Sequence, residues 1–84
     1  MPGEILIENL EKVHTTDMGI GRIAKNLGLK EEDPVTWCKA RIKDRDSRIT
    51  RKGKNWYVET GCCIITVNAY SYTIITAHRK NAIH

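Results

Sequence analysis

The spacing of the apolar residues changes near residue 47, and this change constrains the fold more than any other feature of the chain. Upstream, apolar side chains recur at intervals typical of one face of an amphipathic helix. Downstream, they alternate with polar residues, as in strands with one buried face. We therefore expect a helical half at about 4–43, a β-meander at about 48–80 and a tail at 81–84. The 84 residues suffice for one domain, so both halves should share a single core.

Local signals place two to three helices in the first half. The first is predicted from about Glu4 to Val13. The second is expected to begin after a Thr15 or Thr16 cap and to end at Gly28, because glycine readily adopts the left-handed conformation that terminates helices. The third should begin at Asp33-Pro34, where an acceptor side chain precedes a residue suited to the first helical position. Each helix has one apolar stripe to bury.

Four segments of the second half alternate as strands do, and short turns join them. Such short connections favour antiparallel neighbours. The predicted fold is α+β, with the helices packed on one face of a three- to four-stranded antiparallel sheet. The predicted strands are Ile49–Lys52, Asn55–Glu59, Cys62–Asn68 and Tyr72–Arg79.

The alternation also predicts which strand side chains face the helices. One set is apolar and should form the core, whereas the other carries hydroxyl, amide and ionisable groups and should lie on the opposite face. The predicted core set is Trp56, Val58, Cys63, Ile65, Val67, Ile75 and Ala77. The predicted polar set is Tyr57, Glu59, Thr66, Asn68, Thr76 and His78.

Positive charge is concentrated between the helices and the strands. The net charge of +4 arises from −3 over residues 1–38, +6 over residues 39–54 and +1 over the remainder. A cationic band of this density indicates a polyanionic partner, most simply nucleic acid, with RNA the first expectation. A basic face that only promotes solubility is the alternative. The predicted nucleic-acid contacts, cations for phosphates and tyrosine for a stacked base, are Arg51, Lys52, Lys54, Tyr57 and Arg79.

A glutamate and a histidine on one sheet face suit RNA cleavage without a metal. That reaction needs a base for the ribose 2′-hydroxyl, an acid for the leaving 5′-oxygen and cations beside the phosphate. We predict His78 as acid or base and Glu59 as its counterpart. Tyr57 or Thr76 is the predicted hydrogen-bond partner of the phosphate. His14 would join this site if the first helix lies near the sheet edge. Alternatively, His78 and Glu59 are exposed strand-end residues, and His14 is a helix cap or bonds to a backbone carbonyl.

The sequence indicates no metal site, no cofactor and no membrane segment. Cys38, Cys62 and Cys63 lack the spacing of a zinc site and are expected to be reduced and structural. No apolar run approaches the roughly 20 residues of a membrane-spanning helix. The first residues, MPGEILIENLEK, lack the pattern of a signal peptide, so we expect a cytoplasmic protein.

Four segments are distinctive: HTTDMGIGRIAKNLGL, VTWCKARI, RKGKNWYV and IITVNAYSYTIITAHR. They resemble a family of small bacterial proteins, domain-of-unknown-function family 3781, which implies no activity. An early histidine-bearing helix, a basic middle and antiparallel strands are also similar, more distantly, to the barnase, colicin and RelE-like ribonuclease superfold. That resemblance implies a toxin-like, metal-independent ribonuclease with a protein partner such as an antitoxin. It implies catalytic candidates His14, Glu59, Thr76 and His78, with phosphate contacts from Lys52, Lys54 and Arg79.

Three functions from different classes follow from these observations. The first is a metal-independent ribonuclease. The second is a non-catalytic module that binds nucleic acid through residues 39–54. The third is a protein-interaction or inhibitor module, whose acidic helices and basic hairpin meet different partners. Cleavage, salt-sensitive binding and a stable protein partner, respectively, would distinguish them.

Overall fold

The computed structural model describes residues 2–80, which form three α-helices, a 3₁₀ turn and four strands. The predicted tail at 81–84 lies outside the described residues. The helical segments are α1 (Pro2–Glu8), the 3₁₀ turn (Leu10–Lys12), α2 (Asp17–Leu27) and α3 (Pro34–Ile42). The strands are β1 (Arg48–Lys52), β2 (Asn55–Glu59), β3 (Cys63–Asn68) and β4 (Ile74–Arg79).

The four strands form one antiparallel meander, in which each strand pairs with its neighbour in sequence. α1 packs on β1, α2 packs on β4, and α3 contacts α2. The buried apolar residues of the helices and of the sheet form one cluster, so they share a single core. The predicted α+β architecture, with helices on one face of an antiparallel sheet, is therefore confirmed.

α2 and α3 begin at the predicted caps. The Thr16 hydroxyl accepts a hydrogen bond from the Gly19 N–H at 3.0 Å, and the Asp33 carboxylate accepts one from the Thr36 N–H at 2.9 Å. The latter bond lowers the pKa of the Asp33 carboxyl because it stabilises the charged form. α2 also ends where predicted, since Gly28 has a φ of 71°, in the left-handed region that glycine adopts without steric cost.

The first helix is shorter than predicted. α1 ends at Glu8 and a 3₁₀ turn follows at Leu10–Lys12. Asn9 accounts for the break, because its side-chain amide donates to the Ile5 carbonyl at 2.8 Å while its N–H donates to the Leu6 carbonyl at 3.2 Å. The side chain thus occupies the carbonyl that the next α-helical hydrogen bond would use.

One predicted core position is wrong. Val67 pairs with Ile74 and Thr66 pairs with Thr76, so Ile75 is an extra residue between them. This β-bulge shifts the alternation by one position. Ile74 is consequently 2% exposed, whereas Ile75 is 53% exposed. The other predicted core residues of the sheet are buried as expected: Trp56, Val58, Cys63, Ile65, Val67 and Ala77.

Candidate functional site

The sheet face opposite the helices is not covered by any element of residues 2–80, because the helices pack on the side of Trp56 and Ile65. We call this surface the open face. Its side chains form rows across the sheet, in which residues paired on neighbouring strands lie side by side. From β1 towards β4 the rows are Arg48, Glu59, Ile64 and His78; Thr50, Tyr57, Thr66 and Thr76; and Lys52, Asn55 and Asn68.

Tyr57 lies in the middle of the open face. Its side chain is 37% exposed, and its cross-strand neighbours are Thr50 on β1 and Thr66 on β3. Arg48 and Lys52 are exposed on β1, two residues to either side of Thr50, and they flank the tyrosine diagonally. The open face therefore presents a partly exposed aromatic ring between two cations.

Glu59 forms an ion pair with Lys80, with 2.7 Å between the carboxylate Oε2 and the ammonium Nζ. The hydrogen bond and the charge of Lys80 lower the pKa of the Glu59 carboxyl. The carboxyl is therefore ionised at neutral pH and has no proton to donate. Glu59 can accept a proton as a general base, provided that a ligand competes with Lys80 for its oxygens.

His78 is exposed on the open face, in the same row as Glu59. Ile64 on β3 lies between them, and two strand spacings separate their backbones by about 10 Å. The ring Nδ1 of His78 lies 3.2 Å from the Arg79 carbonyl oxygen. A carbonyl oxygen only accepts hydrogen bonds, so Nδ1 carries the proton in this contact.

His14 lies at the other end of β4 from His78. Its N–H donates to the Tyr72 carbonyl, and its carbonyl accepts from the Ile74 N–H. Its ring Nδ1 lies 2.8 Å from the Lys12 carbonyl, and Nε2 lies 3.2 Å from the Thr73 hydroxyl. Thr73 precedes His78 by five residues of extended chain, or roughly 16 Å. The structure thus brings Glu59, Thr76 and His78 onto one face but does not bring His14 to them.

The predicted phosphate contacts differ in how free their side chains are. Lys52 and Lys54 are exposed beside the turn between β1 and β2. Arg79 points to the helix side of the sheet, where its Nε and Nη2 donate to the Leu27 carbonyl at 3.3 and 2.8 Å. These bonds satisfy a carbonyl at the C-terminal end of α2. Arg79 is therefore directed away from the open face.

A groove of about 510 Å³ lies between α2 and β4. Thr76 lines the groove and also belongs to the open face, so the two surfaces are continuous around the edge of β4. Arg22 and Asn26 of α2 line the far side of the groove. The open face consequently extends to a further cation that the sequence patterns did not indicate.

The cysteines lie outside this surface. Burial raises the pKa of the Cys38 thiol to about 12 and also raises the pKa of the buried Cys63 thiol. Both thiols stay protonated at neutral pH, which fits the predicted structural role. Across residues 2–80, no three side chains of His, Cys, Asp or Glu come together as a metal-binding group. Within the same range, no helix has the length and the apolar character needed to cross a bilayer.

A family model described as "Protein of unknown function (DUF3781)" matches residues 7–78. The chain belongs to this family. The match begins within α1 and ends one residue before the end of β4, so it includes every row of the open face. No curated protein matches the chain, and no solved structure matches it. The resemblance to the ribonuclease superfold stays a prediction.

The structure adds residues to the surface that sequence patterns had missed. Arg48 could have been found, because the alternation that places Lys52 on the open face also places Arg48 there. Lys80 could not, because its pairing with Glu59 depends on where the chain after β4 lies relative to the end of β2, with β3 between the two strands. Tyr70 is strongly exposed in the turn before β4, and no local pattern distinguishes an exposed turn tyrosine from a packed one.

Proposed function

We propose that this protein binds single-stranded RNA across the open face of its sheet. The observation that carries the proposal is Tyr57, a partly exposed aromatic ring at the centre of a sheet face that no helix of residues 2–80 covers, flanked by Arg48 and Lys52. Single-stranded RNA presents bases that can stack on such a ring and phosphates that bind such cations. Both halves of that chemistry are present on one surface.

The surroundings of Tyr57 support RNA in preference to a simple polyanion. Thr50 and Thr76 bring hydroxyl groups to the row of Tyr57, and Asn68 brings an amide to the next row. The hydroxyls both donate and accept hydrogen bonds, as the ribose 2′-hydroxyl and the edges of unpaired bases require. Asn68 can only donate through its NH₂ group, because its Oδ1 already accepts three hydrogen bonds within the following turn. A heparin-like polyanion has no bases to stack on Tyr57.

The test is a binding titration followed by fluorescence anisotropy, with a labelled single-stranded RNA and the DNA of the same sequence. Tyr57→Ala should weaken RNA binding by about tenfold, because one base–aromatic stack contributes roughly 1–3 kcal/mol. Tyr57→Phe should retain most of the affinity. Ile20→Ala is the matched control, since Ile20 is exposed to the same extent as Tyr57 but lies on α2.

Two results would contradict the proposal. Wild-type protein that binds neither RNA nor DNA would shift the assignment to the third function, a protein-interaction or inhibitor module with a partner such as an antitoxin. If neither Tyr57→Ala nor Ile20→Ala changed the affinity for RNA, the open face would be excluded as the binding surface.

RNA cleavage without a metal is a second candidate, and the shared row of Glu59 and His78 favours it. Since Lys80 keeps Glu59 ionised, Glu59 would act as the base. His78 would act as the acid, a role that requires its imidazolium form. Glu59 would take the proton of the 2′-hydroxyl, whose oxygen then bonds to phosphorus. The bond from phosphorus to the 5′-oxygen breaks, and His78 Nε2 protonates that oxygen. The products are a 2′,3′-cyclic phosphate and a 5′-hydroxyl.

Cleavage is tested by incubating the protein with total RNA in EDTA and identifying the product ends. His78→Ala should abolish cleavage while leaving RNA binding within about twofold of wild type, because an exposed imidazole contributes little to the sheet. His14→Ala is the control for loss of a histidine elsewhere in the protein. Once thermal unfolding shows that this variant is folded, it should cleave RNA at the wild-type rate. Cleavage by His78→Ala at the wild-type rate would exclude this site.

A further inference from the structure

Two turns are joined at the end of the sheet beyond Lys52 and Asn68. One is the β1–β2 turn around Gly53, and the other is the segment 69–72 between β3 and β4. The Ala69 N–H donates to the Lys54 carbonyl at 2.7 Å, which ties the two turns together. We call residues 51–54 and 69–72 the turn cluster.

Tyr70 is exposed although its backbone is held in place. Its side chain is 71% exposed. The Asn68 Oδ1 accepts hydrogen bonds from the N–H groups of Tyr70 and Ser71, each at 2.9 Å, and from the Ser71 hydroxyl at 3.2 Å. An aromatic ring on such a fixed turn loses little conformational freedom when a ligand covers it.

Arg51 is held beside that ring. Its guanidinium carbon lies 5.8 Å from the centre of the Tyr70 ring and 5.6 Å from that of Trp56, and its Nε donates to the Gly53 carbonyl at 3.0 Å. Within residues 2–80, no hydrogen bond involves its two Nη groups. A guanidinium oriented in this way has the Nη donors free for a phosphate.

Tyr72 shows that this turn has an unfavourable backbone conformation. Its φ is 61°, in the left-handed region that residues other than glycine rarely adopt. Its ring packs against Trp56 with 5.3 Å between the ring centres, and its N–H donates to the Asn68 carbonyl at 2.9 Å. The turn therefore directs Tyr72 into the core while Tyr70 remains outside. Backbone strain of this kind is found preferentially at functional sites.

We infer that the turn cluster is a second nucleotide-binding site, in which a base stacks on Tyr70 and the adjacent phosphate binds Arg51 and Lys54. The inference rests on the proposed RNA-binding function and extends it beyond the open face. Arg51 lies on the Trp56 side of the sheet and Tyr57 on the open face, so one strand would reach both sites by passing around the β1–β2 turn. The path is short, because Asn55, at the end of the open face, is only two residues, about 7 Å, from Tyr57. Asn55 pairs with Asn68, whose side chain fixes the Tyr70 turn.

The test compares variants in binding to a labelled octaadenylate. Tyr70→Ala should weaken binding by about tenfold, and Tyr70→Phe should bind within about twofold of wild type, because stacking requires the ring and not the hydroxyl. Ile5→Ala is the control, since Ile5 is an exposed apolar residue of α1 that lies neither on the open face nor in the groove beside β4. Thermal unfolding of each variant checks that the exposed substitution leaves the fold intact.

An abasic scan distinguishes stacking from an indirect effect. The scan uses a set of octaadenylates, each lacking the base at a different position. For at least one of them, wild type should bind the abasic oligonucleotide more weakly than the intact one. The Tyr70→Ala variant should bind that abasic oligonucleotide and the intact one equally. Binding that Tyr57→Ala weakens and Tyr70→Ala does not would overturn the second site while leaving the open face in place. No RNA binding by wild type would overturn both.

Discussion

Glu59 and Lys80 form an ion pair at one corner of the open face, and this pair affects the protonation state of the Glu59 carboxyl. Because the hydrogen bond and the charge of Lys80 both favour the carboxylate, the pKa of Glu59 is lowered in the folded protein. The pair is solvent-exposed, so its consequence lies in the protonation state more than in stability. At this scale the sequence predicted Glu59 correctly as a polar residue of the sheet, but not the cation that determines its charge.

Lys80→Ala should therefore raise the pKa of Glu59 towards the ordinary value for a glutamate. A lowered folded-state pKa stabilises the protein above the unfolded pKa, and that stabilisation is lost as the pH falls through the folded-state value. The variant should accordingly be less stable than wild type at neutral pH, and this difference in stability should disappear in acid. The measurement is an NMR titration of the Glu59 carboxyl, with Lys30→Ala as control. An unchanged pKa in Lys80→Ala would exclude the ion pair in solution.

Most helix boundaries of this fold could be predicted from the sequence, because the residues that determine them are close together in the chain. The Thr16 and Asp33 caps and the Gly28 stop depend on residues within one helical turn, and each was predicted. Asn9 and Ile75 were misread for the opposite reason. Asn9 ends α1 through its own side chain, where the apolar spacing still indicated a helix. Ile75 is displaced by a pairing irregularity with β3, which leaves no trace in the alternation of β4 itself.

The bulge predicts opposite outcomes for two adjacent isoleucines. Ile74→Ala should lower the free energy of unfolding by about 2–4 kcal/mol, because it leaves a cavity beneath the sheet. Ile75→Ala should change it by less than about 0.5 kcal/mol, because that side chain is largely in solvent. Urea denaturation of both variants makes the comparison. The reverse order of stabilities would show that the alternation without a bulge describes β4.

At the scale of the whole molecule, acidic and basic residues are concentrated in different segments of the chain. The acidic residues are concentrated in the helical half and the cations in residues 39–54, which run through β1 to the turn cluster. Composition alone indicated a polyanionic partner for that band. It did not indicate that Arg48 and Lys52 would flank Tyr57, or that Arg51 would stand beside Tyr70, because those neighbours come from strand register and turn packing.

Salt dependence tests this arrangement for the molecule as a whole. Each cation that neutralises a phosphate of a single strand contributes about −0.7 to the slope of log affinity against log salt concentration. If Arg48, Arg51, Lys52 and Lys54 all bind phosphates, the slope for RNA should be near −3. Lys52→Ala and Lys54→Ala should each make it shallower by about 0.7, whereas Lys25→Ala on α2 should leave it unchanged. If the slope became shallower by the same amount in all three variants, RNA binding would depend on the net charge of the protein and not on the cations beside the two tyrosines.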